Sequence, residues 1–407
     1  MSPQETYDVV IVGAGLAGLS VAYRLKDFQT LILEQEKYIG GRILTRSYEH
    51  MYYDLGAVLG YNQDCLPVDS ICPEPVEESN PIALFFDGKI HTGDSVLECI
   101  RGVFPDNSKE LSAILDFKNG QTNLESLCQD SRDILNAFFR VIHAGEIETY
   151  LPERQQDAFI RYRPMHYKTG NGSLIKAYSD RIHARIHTDT EVLSIQRNHE
   201  VLQTACRKNG EIIEVRSHSV VIATPAAITA RLLEKADAQH LHFFQSIRYA
   251  RFTVVVIGMG EHRGEHDFSY MVTSGMPMNT IYKMTFPDDD RMIFFFYYCD
   301  SAAKKHKDLT DEQLVQLSLD SAQNSGLNLL NQEILFTDVY RWEHGGTIIS
   351  PDVYSSWRED YLQPAPGIFV AGDYLHKEFP YGMDAAVTAG IETAREVRTF
   401  LEHAASL

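Results

Sequence analysis

The segment Val9-Val10-Ile11-Val12-Gly13-Ala14-Gly15-Leu16-Ala17-Gly18-Leu19 sets a G-x-G-x-x-G directly behind a β-branched strand. Each glycine has a separate task. Gly13 permits a tight turn, Gly15 lets backbone N–H groups approach a pyrophosphate, and Gly18 lets the next helix pack closely on the strand. The apolar stretch from Leu16 to Leu25 supplies that helix, with Ala17 in its first turn and the positive helix end under the phosphates. About 20 residues on, Leu31-Ile32-Leu33 reads as a second strand and ends in Glu34-Gln35, an acid placed to hold ribose hydroxyls. The expected unit is a dinucleotide-binding βαβ.

A second glycine pair follows in Gly40-Gly41-Arg42, and then Tyr53-Asp54-Leu55-Gly56-Ala57. This brings the chain past the cofactor again and offers Arg42 as a fixed cation near phosphate or a reduced isoalloxazine. Gly170-Asn171-Gly172-Ser173-Leu174 opens a helix, and 191–195 and 219–224 read as paired strands, the second ending at Thr224-Pro225. Near the C-terminus, Gly367-Ile368-Phe369-Val370-Ala371-Gly372-Asp373 is followed by Tyr381-Gly382-Met383-Asp384-Ala385-Ala386. In this order the segments resemble the flavin-containing amine oxidase superfamily, which includes monoamine oxidases, L-amino acid oxidases, protoporphyrinogen oxidase and phytoene desaturases. The resemblance implies FAD as cofactor. It places the backbone near Val192 against adenine, Thr224 at the cofactor, Gly372 and Asp373 at the diphosphate or ribityl chain, and Gly382, Met383 and Ala386 at a helix start facing the flavin.

The order of these motifs predicts an α/β architecture. A Rossmann-like FAD-binding domain is expected from three segments, 1–60, 165–240 and 356–407, with an α+β substrate domain, a mixed sheet covered by helices, from 61–164 and 241–355. Helices are expected over 109–117 and 131–142, strands over 253–258, 280–284 and 291–300, and a helix over 310–324 that starts with the capping-box pattern Thr310-x-x-Gln313. Residues 391–401 read as a closing surface helix. The aromatic run 294–298 alternates faces as a strand, one face core and the other available to a pocket. Gly258-Met259-Gly260-Glu261-His262-Arg263-Gly264 has NADP-like spacing but no apolar helix after it, so it reads as a hairpin loop. Without a second nucleotide site, electrons come from the substrate and leave to oxygen or another acceptor.

With 37 basic against 56 acidic residues, a formal charge of −19, nucleic acid is not an expected partner. The six cysteines are scattered with no C-x-x-C, and His240-Leu241-His242 and His262-x-x-x-His266 lack further ligands, so neither a disulfide framework nor a metal is expected. The sequence carries neither a leader pattern nor a long apolar run, and a cytoplasmic location without an integral membrane segment is the expectation.

Departures from well-known members of the superfamily bear on the chemistry. The lysine that monoamine oxidases hold near flavin N5 falls near Thr253. The stretch that carries their flavin-linked cysteine corresponds to Gly345-Gly346-Thr347-Ile348, which implies noncovalent FAD and replaces one cage tyrosine with isoleucine. The other cage tyrosine aligns with Gly382, next to Tyr381. The carboxylate-binding arginine of L-amino acid oxidases has no counterpart at Val58-Leu59, leaving Arg161, Arg163, Arg248 or Arg341 as substitutes. The candidate catalytic positions are Thr253, His344 and Tyr381, and the candidate substrate contacts are Trp342, Phe379 and Tyr381. Trp342 and His344 stand just before a turn expected at Gly345-Gly346, and His344 is read as a base or a wall residue. Three functions remain open: an oxidase of an amine-containing metabolite that passes electrons to O2 and yields H2O2, a desaturase or protoporphyrinogen-oxidase-like enzyme acting on an apolar molecule, and a non-redox flavoprotein such as an isomerase or mutase.

Overall fold

A computed structural model describes residues 6–57, 75–77, 81–160, 165–233, 238–260, 268–286, 289–330, 332–355, 357–376 and 382–404. The strands are β1 (Thr6–Val12), β2 (Thr30–Leu33), β3 (Thr45–Tyr48), β4 (Met51–Asp54), β5 (Pro75–Glu77), β6 (Ile82–Phe86), β7 (Lys89–Gly93), β8 (Met165–Tyr167), β9 (Arg185–His187), β10 (Thr190–Asn198), β11 (Val201–Lys208), β12 (Glu211–Ile222), β13 (Arg248–Met259), β14 (Tyr270–Thr273), β15 (Thr280–Phe286), β16 (Asp289–Cys299), β17 (Ile334–Ile348) and β18 (Ile368–Val370).

Val9, Val10 and Ile11 are fully buried, as a central parallel strand covered on both faces requires. Around β1 the first sheet runs β10-β11-β12-β1-β2-β9, with β18 also beside β12. β1 is parallel to β2 and β12, while β10, β11 and β12 form an antiparallel meander. The two stretches expected as a strand pair, 191–195 and 219–224, share this sheet but do not pair. β11 lies between them, because the chain turns back once more before β12.

Alternation along β1 divides its packing. Val9 and Ile11 face a helical layer, whereas Val10 and Val12 face the interior shared with the second sheet. Helices Leu16–Arg24 and Gly382–Ala404 supply the helical layer, joined by the Ser20 hydroxyl donating to the Val387 carbonyl at 3.1 Å. Residues 391–401 are therefore the second half of a 23-residue helix. They are more than a surface closure, since Val397 and Leu401 are buried and Phe400 meets Phe369 edge-on at 5.7 Å.

The second sheet runs β17-β13-β16-β15-β14-β6-β7 and is mixed, β14 and β6 being parallel. The expected alternation of 294–298 is present: Phe295 belongs to the interior cluster, and Phe294, Phe296 and Tyr298 pack on the other face with Leu314, Leu319 and Ala322. Those three residues lie on helix Asp311–Asn324, whose capping box between Thr310 and Gln313 is formed. The expected helices over 109–117 and 131–142 are Lys109–Lys118 and Gln129–His143. One expectation fails in this sheet. β13 and β14 are not neighbours, so the 258–264 stretch begins a crossover rather than a hairpin; residues 261–267 lie outside the described residues. Among the described residues no helix is long and apolar enough to cross a membrane, and no group of His, Cys, Asp and Glu is arranged for a metal ion.

Candidate active site

At the C-terminal end of β1 the chain turns through Gly13, which has φ +104° and where a Cβ would stand 2.6 Å from the Ala223 carbonyl oxygen. A Cβ on Gly18 would lie 2.1 Å from the Gly13 carbonyl oxygen, so only glycine brings the helix this close to the strand. Helix Leu16–Arg24 begins at Gly15 with neither a side-chain cap nor an acidic residue in its first turn. Its first N–H groups and the positive helix end are thus suited to an anion. Beside the turn, buried Glu34 accepts from the Ala14 N–H at 2.7 Å and the Glu36 N–H at 2.9 Å. Burial pushes its carboxyl above the ordinary value, against those bonds, which pull the other way.

A cavity of about 490 Å³ extends from this turn across the interior face of the second sheet. Gly13, Gly15, Ala17, Glu34, Gln35 and Val192 line one end. Gly41, Arg42, Gly56, Ala57, Thr224, Gly372, Asp373, Gly382, Met383 and Ala386 line its middle. Gly18 does not reach the cavity and acts through packing. Phe379 and Tyr381 lie outside the described residues.

In the middle stretch the Arg42 guanidinium donates to the Asp373 carboxylate at 2.6 Å and to the Gly345 carbonyl at 3.2 Å. Asp373 is buried, and its other oxygen accepts from the Thr347 hydroxyl at 3.4 Å. The wall formed by Gly56 and Ala57 is held from behind. Asn171 donates its side-chain N–H to the Ala57 carbonyl at 2.6 Å and its backbone N–H to both oxygens of Asp54 at 3.0 Å, while Thr45 donates to Asp54 and accepts from the Gly172 N–H at 2.7 Å. These bonds seat helix Gly172–Ser179 against β4.

Burial of Asp54 dominates over its donors and raises its carboxyl to about 6 from 3.8. A folded-state value above the unfolded one means that the proton favours folding. This stability is complete below about pH 4 and is lost as pH rises through 6. At about 1.4 kcal/mol per unit the loss is about 3 kcal/mol. Denaturant midpoints measured across this range should fall with rising pH for the wild type relative to Asp54→Asn. Parallel curves for the two proteins would refute the assignment.

The cavity wall on the second sheet comes from alternate positions on five strands: Tyr340, Trp342 and His344 on β17, Phe252 and Val254 on β13, Tyr297 and Cys299 on β16, Thr280 and Tyr282 on β15, and Tyr270 on β14. Register makes this face continuous, with Phe252 opposite Trp342, Thr280 opposite Tyr297 and Tyr270 opposite Tyr282. The same alternation turns Thr253 away. It sits between cavity-lining Phe252 and Val254 and so belongs to the opposite face of β13, which removes it as a catalytic candidate.

Gly345-Gly346 is not a turn but part of β17. Between the pairs Ala250–Gly346 and Phe252–Trp342 the strand uses three residues against one, a bulge that carries Glu343, His344 and Gly345 into the cavity. Trp342 donates its indole N–H to the Leu55 carbonyl at 2.7 Å and contacts Tyr340, the ring centres 4.5 Å apart. His344 meets Tyr249 edge-on at 5.2 Å. Burial and the Arg42 cation lower its pKa, so its imidazole is neutral at pH 7.

Of the arginines expected to substitute for a carboxylate clamp, Arg248 pairs with Asp352 at 3.3 Å and Arg341 with Asp311 at 2.6 Å, and neither lines the cavity. Arg161 and Arg163 lie outside the described residues. Arg140, from helix Gln129–His143, does line the cavity. Local pattern does not mark Arg140 or Tyr270, because their places depend on how a helix and a crossover strand pack on the sheet.

The model of the family described as flavin containing amine oxidoreductase matches residues 83–398, well over half of the chain, and an NAD(P)-binding Rossmann-like domain matches residues 11–59. An L-amino-acid oxidase of Sistrurus catenatus edwardsii is 23% identical over 97% of this chain and 87% of its own length. A flavin-containing amine oxidase of Oncorhynchus mykiss is 40% identical over 68 residues, 16% of this chain and 13% of its own. Among solved structures, cyclohexylamine oxidase from Brevibacterium oxydans IH-35A superposes with a TM-score of 0.78 at 14% identity, covering 98% of this chain and all of the other. A putrescine oxidase bound to putrescine gives 0.75 at 16% identity, with coverage of 98% and 100%. At these identities the structural likeness is one of fold.

Proposed function

The chain belongs to the flavin-containing amine oxidoreductase family, and from this premise we propose that it oxidises an amine-containing metabolite at a carbon next to nitrogen, with noncovalent FAD as acceptor and O2 as final oxidant. At the coarser level it is an FAD-dependent, amine-oxidase-like oxidoreductase. The observation that carries the finer reading is the single cavity joining an uncapped, glycine-lined helix start to a wall of tyrosines, Phe252 and Trp342.

In this reading the sheet around β1, with segments 1–60, 165–240 and 356–407, forms the FAD-binding domain, and 61–164 with 241–355 forms the substrate domain. Gly13, Gly15 and Ala17 face the diphosphate. Glu34, Gln35 and Val192 take the adenosine end, and Arg42, Asp373 and the residues from Gly41 to Ala386 already placed in the middle stretch hold the remainder. When bound, FAD supplies a two-electron acceptor that takes hydride at N5 and passes the electrons to O2, giving H2O2. The protein's part is to present the amine in its neutral form, orient it and exclude water. A buried aromatic face lowers an amine's pKa, and neutral His344 adds no competing cation. Loss of hydride from the neutral amine leaves an iminium ion, which gives up a proton to form the imine, and water converts this to a carbonyl compound with release of ammonia or an amine.

Two thiol-level features support noncovalent binding. Thr347 stands where the resemblance places the linking cysteine, and Cys299, the thiol on the cavity wall, is pushed up to about 12 by burial and is a poor nucleophile.

The test is the visible spectrum before and after acid precipitation, followed by anaerobic titration with amines and a peroxide assay. Flavin released to the supernatant, bleached by an amine and reoxidised with H2O2 release, is expected. Flavin that stays in the pellet would refute noncovalent binding. Bleaching by an apolar alkene precursor and by no amine would move the reading to desaturation, and bleaching by neither would move it to a non-redox role.

A further inference from the structure

Arg231 lines the cavity with its side chain 45% exposed, and the acid beside it stands beyond hydrogen-bonding distance. Glu191 Oε1 is 3.7 Å from Arg231 Nη2, while Glu191 Oε2 accepts from Arg207 Nη1 at 2.9 Å. The carboxylate draws one edge of the Arg231 guanidinium without engaging it. Exposure on this scale, in a residue of the cavity wall, leaves the guanidinium plane within reach of a ligand.

The place of Arg231 along the cavity follows from its neighbours. Helix Ala226–Leu232 starts directly after Thr224 and Pro225 and presents Ile228, Arg231 and Leu232 to the cavity, positions that share one helical face. Glu191, beside Arg231, lies at the start of β10, and that strand is tied to the acid of the dinucleotide-binding unit. The Thr190 N–H donates to the Glu34 carbonyl at 2.8 Å, and the Asp189 N–H donates to the Glu36 carbonyl at 3.1 Å. With a diphosphate at the uncapped start of helix Leu16–Arg24 and ribose hydroxyls on Glu34, the base of a dinucleotide falls beyond Glu34, where Thr190, Val192 and Arg231 line the cavity.

Glu34 and Glu36 also line this end, so a neutral base suits it better than a further phosphate. A guanidinium is flat and weakly hydrated, and its face stacks on the π surface of a base, which an ammonium does not do. Stacking uses the plane and Glu191 addresses the edge, so the acid steers Arg231 rather than competing with the ligand.

We propose that Arg231 is the adenine platform of the cofactor site, its guanidinium plane lying against the purine and fixing the adenosine end of FAD. This deepens the cofactor part of the function proposed above and rests on it for the identity of the occupant.

The test uses the full-length, flavin-free protein as wild type, Arg231→Leu, Arg231→Lys and Arg231→Tyr. FAD and ADP are titrated by calorimetry, and pyrophosphate is measured by competition against ADP. Arg231→Leu should weaken FAD and ADP alike by about tenfold, the scale of one base-stacking contact. Arg231→Lys keeps the charge without the plane and should lose about as much, whereas Arg231→Tyr returns a flat face without charge and should stay within about threefold of wild type. Pyrophosphate has no base, so its dissociation constant should be the same in all four proteins. Their denaturant midpoints should coincide, because an exposed pair at 3.7 Å contributes little to stability. Full ADP affinity in Arg231→Lys, or weaker pyrophosphate binding in Arg231→Leu, would make Arg231 a phosphate contact and overturn the platform. Unchanged FAD and ADP affinity in Arg231→Leu would also overturn it and leave the FAD reading intact. A wild type that binds neither FAD nor ADP would overturn the cofactor reading and the platform with it.

Discussion

Gly18→Val should yield a protein that retains no flavin through gel filtration and whose flavin-free form unfolds at distinctly lower denaturant. The nearest atom to the new Cβ is a backbone carbonyl, that of Gly13 at 2.1 Å, with the Ala223 Cβ at 3.3 Å behind it. Neither can rotate away. The helix must leave the strand, at a cost of about 3 kcal/mol or more, and its uncapped N-terminus moves with it. Gly15→Ala is the informative contrast. Gly15 has φ −72°, which any residue adopts, and a Cβ there meets nothing nearer than the Gly41 Cα at 3.9 Å. Its fold should therefore hold while FAD affinity falls, because the methyl group intrudes on the approach to the diphosphate. Similar unfolding midpoints for the two variants would mean that Gly18 is not a packing position, and normal FAD affinity in Gly15→Ala would move the diphosphate elsewhere.

These glycines were legible because their task is local: a turn, a close approach and a strand before them are all written within a dozen residues. The same holds for the capping box at Thr310, where one helical turn decides the partner, while Glu34 is legible because it closes the second strand of the same βαβ unit, where it meets the Ala14 N–H. Reading weakens where a residue's place depends on strand parity or on distant packing. Thr253 illustrates parity. A one-residue slip in a period-two element exchanges the cavity face for the core face, and it is Phe252 and Val254, on either side of Thr253, that line the cavity. The Gly345-Gly346 pair reads as a turn because glycines often mark one, and the structure uses it for a bulge, with Phe252 occupying the space a Cβ on Gly345 would need. Arg140 illustrates distance. Its amphipathic helix is plain in the sequence, yet which of its polar side chains meets the cavity is decided by contacts with β14, β17 and the segment holding Glu146.

Arg42→Met should destabilise the flavin-free protein by about 3 kcal/mol, the typical consequence of removing one partner from a buried ion pair. Asp373 is 2% exposed, and after the substitution its carboxylate would keep only the 3.4 Å bond from Thr347. The Gly345 carbonyl would lose a donor as well, which loosens the bulge that carries His344. The pair also joins the two sheets' chain segments, since Arg42 follows β2, Asp373 follows β18 and Gly345 lies in β17. Its loss should therefore lower cooperativity in addition to the midpoint. Asp373→Asn alone removes the charge that Arg42 neutralises but leaves a hydrogen-bonding side chain, and its cost should be smaller. The double variant decides the interpretation. With neither charge stranded, Arg42→Met with Asp373→Asn should be more stable than the sum of the single effects predicts, by about 1–2 kcal/mol in a double-mutant cycle. Additive effects would show that the two side chains act separately, and the contribution of Arg42 to the site would then come from its bond to Gly345. FAD affinity, measured in parallel, separates structure from binding. If the pair meets the cofactor, the double variant regains stability without regaining affinity, because the fold requires balanced charge at this point and the bound flavin requires the guanidinium and the carboxylate themselves.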